Sequence, residues 1–303
     1  MKIVVVGLGK IGQPLAALYA SRGHQVVGAD VSARVVDELN AGHATVVNEP
    51  GLQEMLSEAV AHGTLRATTD TAAAVARADV VIVAVPMLIN DQRRLDYRMI
   101  DAAFASIAAG VTQGSLVLLE TTVPIGDTRN RFGRRLEASG LRMGEGFLLA
   151  FSPERVQSGR IFRDLATYPK IVGGIDKASG LRAEQFYREA LGAPVIRLSS
   201  AEAAEFCKLA ESVYRDVNIG LVNELALSAE RHRIDITEVI SAANSEPQSH
   251  LHAPGIGVGG HCMPVYPYFL LAEGDGYPVT AAARRVNEAM PAHAADVLAD
   301  RLG

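Results

Sequence analysis

Residues 3–12 read Ile-Val-Val-Val-Gly-Leu-Gly-Lys-Ile-Gly, and the fold of the N-terminal part of the chain follows from them. The β-branched residues predict a buried strand, and the residues after Gly12 have the pattern of a helix. In this setting the first glycine makes the turn, the second lets backbone approach a pyrophosphate, and the third packs helix on strand. The helix N-terminus offers N–H groups to the phosphates. The predicted cofactor-binding residues of this turn are Gly7, Gly9, Lys10, Ile11 and Gly12.

A carboxylate follows the second predicted strand, Gln25–Gly28. Asp30 stands eighteen residues after Gly12, where it can accept a hydrogen bond from a ribose 2′-hydroxyl and would repel a 2′-phosphate. This favours NAD over NADP as the cofactor. Arg34, four residues later, could lie against the adenine or engage a phosphate, which leaves NADP open. A glycine turn that binds some other nucleotide is the remaining alternative.

Strand and helix patterns alternate over roughly the first 80 residues, which predicts βαβ units and a parallel sheet. The further strands are predicted at Asp79–Val85, Ser115–Glu120, Phe147–Phe151, Lys170–Gly173 and Pro194–Leu198. We therefore expect an α/β Rossmann-type domain over residues 1–198, with a parallel sheet of about eight strands. From Ala201 to about His232 the pattern is helical, and it is helical again after Thr280. Residues 199–303 are predicted to form an all-α domain built on the long helix.

Composition excludes several classes of partner and site. The chain has 29 basic and 34 acidic residues and a net charge of −5, with no block of like charges, so nucleic acid is not an expected partner. No apolar run approaches the roughly 20 residues of a membrane span. Two cysteines cannot form a disulfide framework, which predicts a cytoplasmic protein with free thiols. His250, His252 and His261 lack an acid or second thiol at ligand spacing, so no metal site is predicted.

Five further segments, in this order, resemble the UDP-glucose/GDP-mannose dehydrogenase family, and they span almost the whole chain. They are Glu49-Pro50-Gly51-Leu52, Val85-Pro86, Glu120-Thr121-Thr122-Val123-Pro124, Ser152-Pro153-Glu154-Arg155-Val156, and Lys208 together with Gly259-Gly260-His261-Cys262. The His-Cys form of the glycine loop, followed by Pro267-Tyr268-Phe269-Leu270, resembles the branch that oxidises UDP-N-acetylhexosamines.

The resemblance implies an enzyme that uses NAD to oxidise the C6 alcohol of a nucleotide sugar to a carboxylate. It also implies a homodimer through the long helix, and a C-terminal UDP-binding domain that we expect this chain to lack. The catalytic residues by resemblance are Cys262, Lys208, Glu154 and Thr122. The resemblance adds Val85, Pro86 and Thr122 to the cofactor site. The substrate-binding residues by resemblance are Glu154, Arg155, Lys208, Ser212, Gly259 and Gly260.

The chemistry of these side chains agrees with that function. Oxidation of an alcohol to an acid passes through an aldehyde, and a thiolate can add to it to give a thiohemiacetal, whose oxidation yields a thioester that water cleaves. Cys262, in a glycine-rich loop that can lower its pKa, suits this role. Lys208 on the long helix can stabilise charge on oxygen. The alternatives are an inert thiol, a solvated lysine, a surface acid at Glu154 and a turn residue at Thr122.

Two positions depart from the family pattern. The family places Asp four residues after the cysteine and Asn four residues after the lysine, whereas this chain has Tyr266 and Ser212. Tyrosine, with a pKa near 10, is a poor base at neutral pH. Slow hydrolysis, reliance on Glu154 and a reaction that stops early all remain open. The competing functions are a dehydrogenase of small β-hydroxy acids, which would not use Cys262, and a non-catalytic NAD-binding dimer.

Overall fold

The computed structural model describes residues 1–260 and 262–302, and these divide into two compact units. The first unit comprises Met1–Leu88 and Asp96–Phe206. The second comprises Ile89–Leu95 and the described residues from Cys207 onward. Within this described part of the chain, no helix has the length and apolar character that crossing a bilayer requires.

The strands form one large sheet and one small one. In chain order they are β1 Lys2–Val6, β2 Gln25–Ala29, β3 Leu65–Thr68, β4 Val80–Val83, β5 Leu88–Ile89, β6 Leu95–Asp96, β7 Leu116–Leu119, β8 Leu148–Phe151, β9 Lys170–Gly174 and β10 Val195–Arg197. The eight-stranded sheet has the order β10-β9-β8-β7-β4-β1-β2-β3, and β5 pairs with β6 separately. Neighbours in the large sheet run parallel, except that β9 is antiparallel to β8.

Helices separate the strands of the first unit and make up most of the second. Those before residue 200 are α1 Gly12–Ser21, α2 Ala33–Asn40, α3 Leu52–Ala61, α4 Thr71–Val75, α5 Arg98–Ala108, α6 Arg134–Leu136, α7 Ile161–Thr167 and α8 Lys177–Leu191. A π-helical segment, Thr128–Gly133, precedes α6, and a 3-10 turn, Glu137–Ser139, follows it. The later helices are α9 Ala201–His232, α10 Ile236–Ala243, α11 Pro267–Leu271 and α12 Pro278–Leu302.

The centre of the sheet is the hydrophobic core of the first unit. Val80–Val83 of β4 and Leu116–Leu119 of β7 are completely buried. Such continuous apolar strands are typical of a sheet that helices cover on both faces. The predicted Rossmann-type sheet followed by a helical region is confirmed. The predicted parallel direction does not hold for β9, which is antiparallel to β8, nor for β10, which is parallel to β9. The short apolar run of β9 fits a sheet in either direction.

Only part of the apolar ridge of α9 is buried. The ridge comprises Phe206, Leu209, Val213, Leu221 and Leu225, which the sequence predicts to form a core face; Leu209 is completely buried, whereas Phe206, Leu221 and Leu225 are 50%, 48% and 39% exposed. Most of the other buried residues of this helix are small or polar. A Cβ on Gly220 would lie only 3.0 Å from Ala283 of α12, so the two helices approach too closely there for large side chains.

Candidate functional site

The glycine turn after β1 has the tight geometry that the motif predicts. Gly7 has a φ of +90°, and its N–H donates to the carbonyl of Ala29 at the end of β2, at 2.8 Å. A Cβ on Gly12 would lie 1.8 Å from the carbonyl oxygen of Gly7, so only glycine allows α1 to start this close to the turn. A Cβ on Gly9 would meet no atom within 4 Å. The turn therefore has no room for a side chain at Gly12, whereas the space beside Gly9 is free of protein atoms.

These features fit a dinucleotide. Ile11 is the N-cap of α1 and gives no side-chain cap, so the first N–H groups of the helix have no side-chain acceptor at the cap. An anionic pyrophosphate can accept hydrogen bonds from such N–H groups and is favoured by the helix dipole. Lys10 is exposed beside them. The residues Gly9, Lys10, Ile11 and Gly12 can thus hold the phosphates of NAD.

Asp30 lies against the same turn. Its Oδ2 accepts a hydrogen bond from the Leu8 N–H at 2.7 Å, and its Oδ1 accepts one from the Ser32 N–H at 2.9 Å. Each carboxylate oxygen has a second lone pair, so both can still accept from a ribose hydroxyl. Arg34 is exposed in the first turn of α2. The structure therefore fixes Asp30 beside the glycine turn, as the sequence predicted.

The ends of β4 and β7 reach the same edge of the sheet. Thr121 Oγ1 donates to the carbonyl of Val85 at 2.7 Å, and a Cβ on Gly7 would lie 3.0 Å from the carbonyl of Ala84. Thr122 is buried, whereas Pro86 is exposed. The carboxyl ends of three parallel strands thus bring Gly7, Val85 and Thr122 to one edge, where open α/β sheets bind their ligands.

Glu205 was not singled out from the sequence, although it anchors the turn after Pro124. This fully buried residue accepts hydrogen bonds from the N–H of Gly126 at 2.6 Å and from the N–H of Thr128 at 2.8 Å. Burial raises the pKa of Glu205 to about 7. The Glu205 carboxylate holds the backbone that follows the Thr122 segment. The spacing of residues in the sequence does not predict a contact over this separation.

Glu154 belongs to a cluster of charged groups at the same edge of the sheet. Lys170 Nζ lies 2.9 Å from Glu154 Oε2 and 3.1 Å from Glu120 Oε2. The Tyr187 hydroxyl donates to Glu120 Oε1 at 2.6 Å. Lys170, Glu120 and Tyr187 are almost completely buried, and the sequence analysis gave none of them a place in the site. The sequence signal that could have identified Glu120 and Lys170 is a charged residue at the end of an otherwise apolar strand.

Burial and mutual attraction set the charges in this cluster. Burial raises the pKa of Glu120 to about 7, which the Lys170 ammonium only partly opposes. Burial also acts to lower the pKa of Lys170, but attraction to Glu120 and Glu154 outweighs it, so the pKa of Lys170 is raised. Lys170 therefore stays charged at neutral pH.

Arg155 is oriented by the backbone around it. Its Nη1 donates to the carbonyl of Pro169 at 3.1 Å, and its N–H donates to Glu154 Oε1 at 2.7 Å. The side chain therefore braces the segment that leads into β9. Its predicted contact with substrate remains a prediction.

In the second unit, Cys262 and Lys208 lie around one aromatic ring. The Sγ of Cys262 is 3.6 Å from the hydroxyl of Tyr266, and Lys208 Nζ is 5.9 Å from the centre of the Tyr266 ring. The carbonyl of Cys262 accepts the N–H groups of Val265 and Tyr266, which makes the turn that leads into α11. The thiol is exposed. Two predicted catalytic side chains, 54 residues apart in the sequence, are thus brought together.

The loop that leads to Cys262 is tied to α9 by two asparagines. Asn223 Oδ1 accepts the N–H of Gly255 at 2.9 Å, and Asn218 Oδ1 accepts the N–H of His252 at 2.9 Å. Gly259 and Gly260 are exposed, and a Cβ on either would meet no atom within 4 Å. His261, part of the predicted Gly-Gly-His-Cys motif, lies outside the described residues. Ser212 is buried, with its hydroxyl 3.1 Å from the carbonyl of Lys208.

A cleft of about 530 Å³ lies beside this loop. Ile256–Gly259 form one side, and Arg284, Asn287 and Glu288 of α12 form another. Arg93 contributes a second guanidinium, held by Glu288 at 2.7 Å. The volume of the cleft lies in the range of small-ligand sites, roughly 300 to 1,000 Å³. The second unit thus combines a ligand-sized cleft, a loop of accessible backbone and an exposed thiol.

Comparison with known proteins agrees with both units. Residues 1–191 match the NAD binding domain of the UDP-glucose/GDP-mannose dehydrogenase family, and residues 202–289 match its central domain. The UDP-N-acetyl-D-mannosamine dehydrogenase of Pyrococcus horikoshii is 40% identical, over 100% of this chain and 72% of that protein. The NDP-N-acetyl-D-galactosaminuronic acid dehydrogenase of Ralstonia nicotianae is 37% identical, over 97% of this chain and 70% of that protein.

Solved structures give the same result. The UDP-D-ManNAc dehydrogenase structure from Pyrococcus horikoshii matches with a TM-score of 0.94 and 38% identity, over 100% of this chain and 72% of that one. A UDP-glucose dehydrogenase from Pyrobaculum islandicum matches with a TM-score of 0.89 and 30% identity, over 100% of this chain and 71% of that one. The chain therefore belongs to the UDP-glucose/GDP-mannose dehydrogenase family and is an NAD-dependent oxidoreductase.

Proposed function

We propose that the protein oxidises the C6 alcohol of a nucleotide sugar, of the UDP-N-acetylhexosamine or UDP-glucose type, to the uronic acid. The observation that carries the proposal is the exposed thiol of Cys262, 3.6 Å from the Tyr266 hydroxyl, with Lys208 beside the same ring. Relatives named as dehydrogenases of UDP-N-acetyl-D-mannosamine support this substrate class. NAD, held by the glycine turn and Asp30, supplies the hydride acceptor for both oxidations.

In this proposal Cys262 retains the aldehyde. Its thiolate adds to the carbonyl carbon, which forms a C–S bond and places negative charge on the oxygen. The Lys208 ammonium stabilises that charge. Oxidation of the thiohemiacetal leaves a thioester. Attack by water then breaks the C–S bond, releases the carboxylate and returns the thiol.

Glu154 and Thr122 are the proposed polar groups for the hydrolytic step. A carboxylate can accept the proton that water loses as it attacks the thioester. Tyr266 is a poor base at neutral pH, so the role falls to Glu154. Arg155, Ser212, Gly259 and Gly260 are proposed substrate contacts. The reaction needs a reduced thiol, and we therefore place it in the cytoplasm.

The direct test is NADH formation on a panel of UDP-sugars, with NAD and NADP compared. We expect two NADH for each sugar oxidised, and a clear preference for NAD because Asp30 would repel a 2′-phosphate. A single NADH per sugar would indicate that the reaction stops at the aldehyde. Calorimetric binding of NAD without turnover of any sugar would contradict the proposed activity and favour a non-catalytic NAD-binding protein.

The proposal includes a homodimer through α9. The exposed side chains of Phe206, Tyr214, Leu221 and Leu225 on this helix support it, because burial of such an apolar surface stabilises association. Sedimentation velocity should give about twice the 32.1 kDa mass of the chain. A monomer at all protein concentrations would contradict the dimer.

A further inference from the structure

The antiparallel direction of β9 brings a lysine to the edge of the sheet where the other strands end. Leu119 of β7 pairs with Phe151 of β8, and Phe151 pairs with Gly173 of β9. Because β8 and β9 run in opposite directions, the residue three beyond Phe151 faces the residue three before Gly173. These residues are Glu154 and Lys170, and their side chains meet at 2.9 Å.

We propose that Lys170 is a positioning residue for Glu154: its ammonium holds the Glu154 carboxylate in one orientation and keeps it ionised, while Glu120 and Tyr187 hold the ammonium. This rests on the proposed role of Glu154 in the hydrolytic step.

The hydrogen bonds of Glu154 fix both of its oxygens. Oε1 accepts the N–H groups of Arg155 at 2.7 Å and Val156 at 3.2 Å. Oε2 accepts from Lys170. The backbone N–H of Glu154 donates to the carbonyl of Glu120 at 3.3 Å. The carboxylate lies in the segment that follows β8, and it is held there by hydrogen bonds to this segment and to Lys170 of β9, which suits a group that must meet water in a defined geometry.

Lys170 is itself held on several sides. Its N–H donates to the carbonyl of Pro194 at 2.8 Å, which fixes the start of β9 against β10. Its ammonium bridges Glu120 and Glu154 and lies 5.0 Å from the centre of the Tyr187 ring. The Tyr187 hydroxyl orients Glu120 in turn. Tyr187 therefore orients Glu120, Glu120 holds the Lys170 ammonium, and the ammonium holds Glu154.

A purely structural role explains the cluster less well. Two carboxylates and one ammonium are removed from water here, and buried ion pairs often give no more stability than apolar side chains of the same volume. The ion pairs do, however, leave the Glu154 carboxylate as the last group in this series of contacts, at the partly exposed edge of the sheet. The side chain of Glu154 is 11% exposed, whereas those of Lys170 and Glu120 are 5% and 1% exposed.

The charge on Glu154 depends on every group that faces it. Two variants separate the effect of the ammonium on Glu154 from the effect of Glu120. Because burial raises the pKa of Glu120 to about 7, Glu120 is neutral at the lower pH where a glutamate normally titrates, and in Glu120→Gln an amide replaces that neutral form, so the titration midpoint of Glu154 should stay close to the wild-type value. In Glu120→Gln/Lys170→Met the ammonium is gone, and the midpoint should rise by about 1 to 3 pH units. The charged or titratable groups around Glu154 that both variants retain include Tyr19, Arg155, Asp164 and Tyr168.

The experiment is a carbon-13 NMR titration of the protein labelled at the glutamate side-chain carboxyl carbon. The Glu154 signal is assigned by its loss in Glu154→Gln. The control is Lys177→Met, which removes an exposed lysine at the start of α8 and should leave the midpoint unchanged. Thermal melting checks that each variant folds, and in the double variant the two most deeply buried positions, 120 and 170, carry no charge.

The same variants should move the rate of acid formation with pH. The rising limb should shift to higher pH in the double variant and stay in place in Glu120→Gln. A Glu154 midpoint in the folded double variant equal to that in Glu120→Gln would overturn the positioning role, whatever the melting temperatures. If the wild-type protein oxidises no sugar, the proposed function fails, while the NMR midpoints still decide the role of Lys170.

Discussion

Replacement of Cys262 by serine should lower the formation of uronic acid by about 10³-fold or more while NAD binding is retained. A serine hydroxyl stays protonated at neutral pH, whereas a thiol can ionise and add to the aldehyde. The first oxidation does not need the thiol, so an aldehyde or its hydrate should accumulate. The measurement is the amount of aldehyde and acid after a fixed time, together with the calorimetric affinity for NAD.

The chain contains its own control for this substitution. Cys207 is the second cysteine, in α9 and only partly exposed, and Cys207→Ser should keep the wild-type rate of acid formation. The Cys262→Ser variant keeps the turn to Tyr266, because that turn depends on the carbonyl of residue 262. If Cys262→Ser forms acid at the wild-type rate, the thioester route is wrong, and a two-electron dehydrogenase that ignores the thiol becomes the better account.

The second large effect is expected at the glycine turn, where two alanine substitutions should behave differently. Gly12→Ala places a Cβ 1.8 Å from the carbonyl oxygen of Gly7. The turn must open to relieve this overlap, which should destabilise the protein by about 3 kcal/mol, at the upper end of overpacking costs, and abolish NAD binding. Gly9→Ala meets no protein atom. It should change stability by less than about 0.5 kcal/mol but weaken NAD binding at least about tenfold.

Thermal unfolding and calorimetry with NAD separate these outcomes. Gly276→Ala is the matched control, since a Cβ there also meets nothing and the position lies outside the predicted cofactor site. It should alter neither stability nor affinity. A Gly9→Ala variant that binds NAD as tightly as the wild type would show that the cofactor phosphates do not approach this turn.

The sequence was sufficient to predict what local pattern encodes. The glycine spacing and Asp30 predicted where the cofactor turn lies, because each of these residues meets a specific requirement of the backbone at its position. The apolar runs placed seven strands of the large sheet, and the unbroken helical pattern placed α9 at Ala201–His232. These features depend on neighbours in the chain.

Contacts between distant segments could not be predicted in this way. The apolar run of β9 is compatible with a parallel or an antiparallel strand. The pairing of Lys170 with Glu154 could therefore be seen only in the three-dimensional structure of the sheet. Tyr266 was recognised as a departure from the family pattern, but its contact with the Cys262 thiol depends on the turn between them. Leu221 and Leu225 are exposed, while Gly220 of the same helix packs closely on Ala283 of α12, and the periodicity of a single helix does not contain that packing.

The most direct test of the central claim is a search for the covalent intermediate on Cys262. The protein is mixed with NAD and an oxidisable UDP-sugar, quenched with acid within the first turnover, and digested for peptide mass spectrometry. The account predicts that the peptide containing Cys262 gains the mass of the uronyl group, that hydroxylamine removes this group, and that the peptide containing Cys207 stays unmodified. NADH formed through at least one full turnover, with acid released and no adduct on Cys262 at any time, would contradict it.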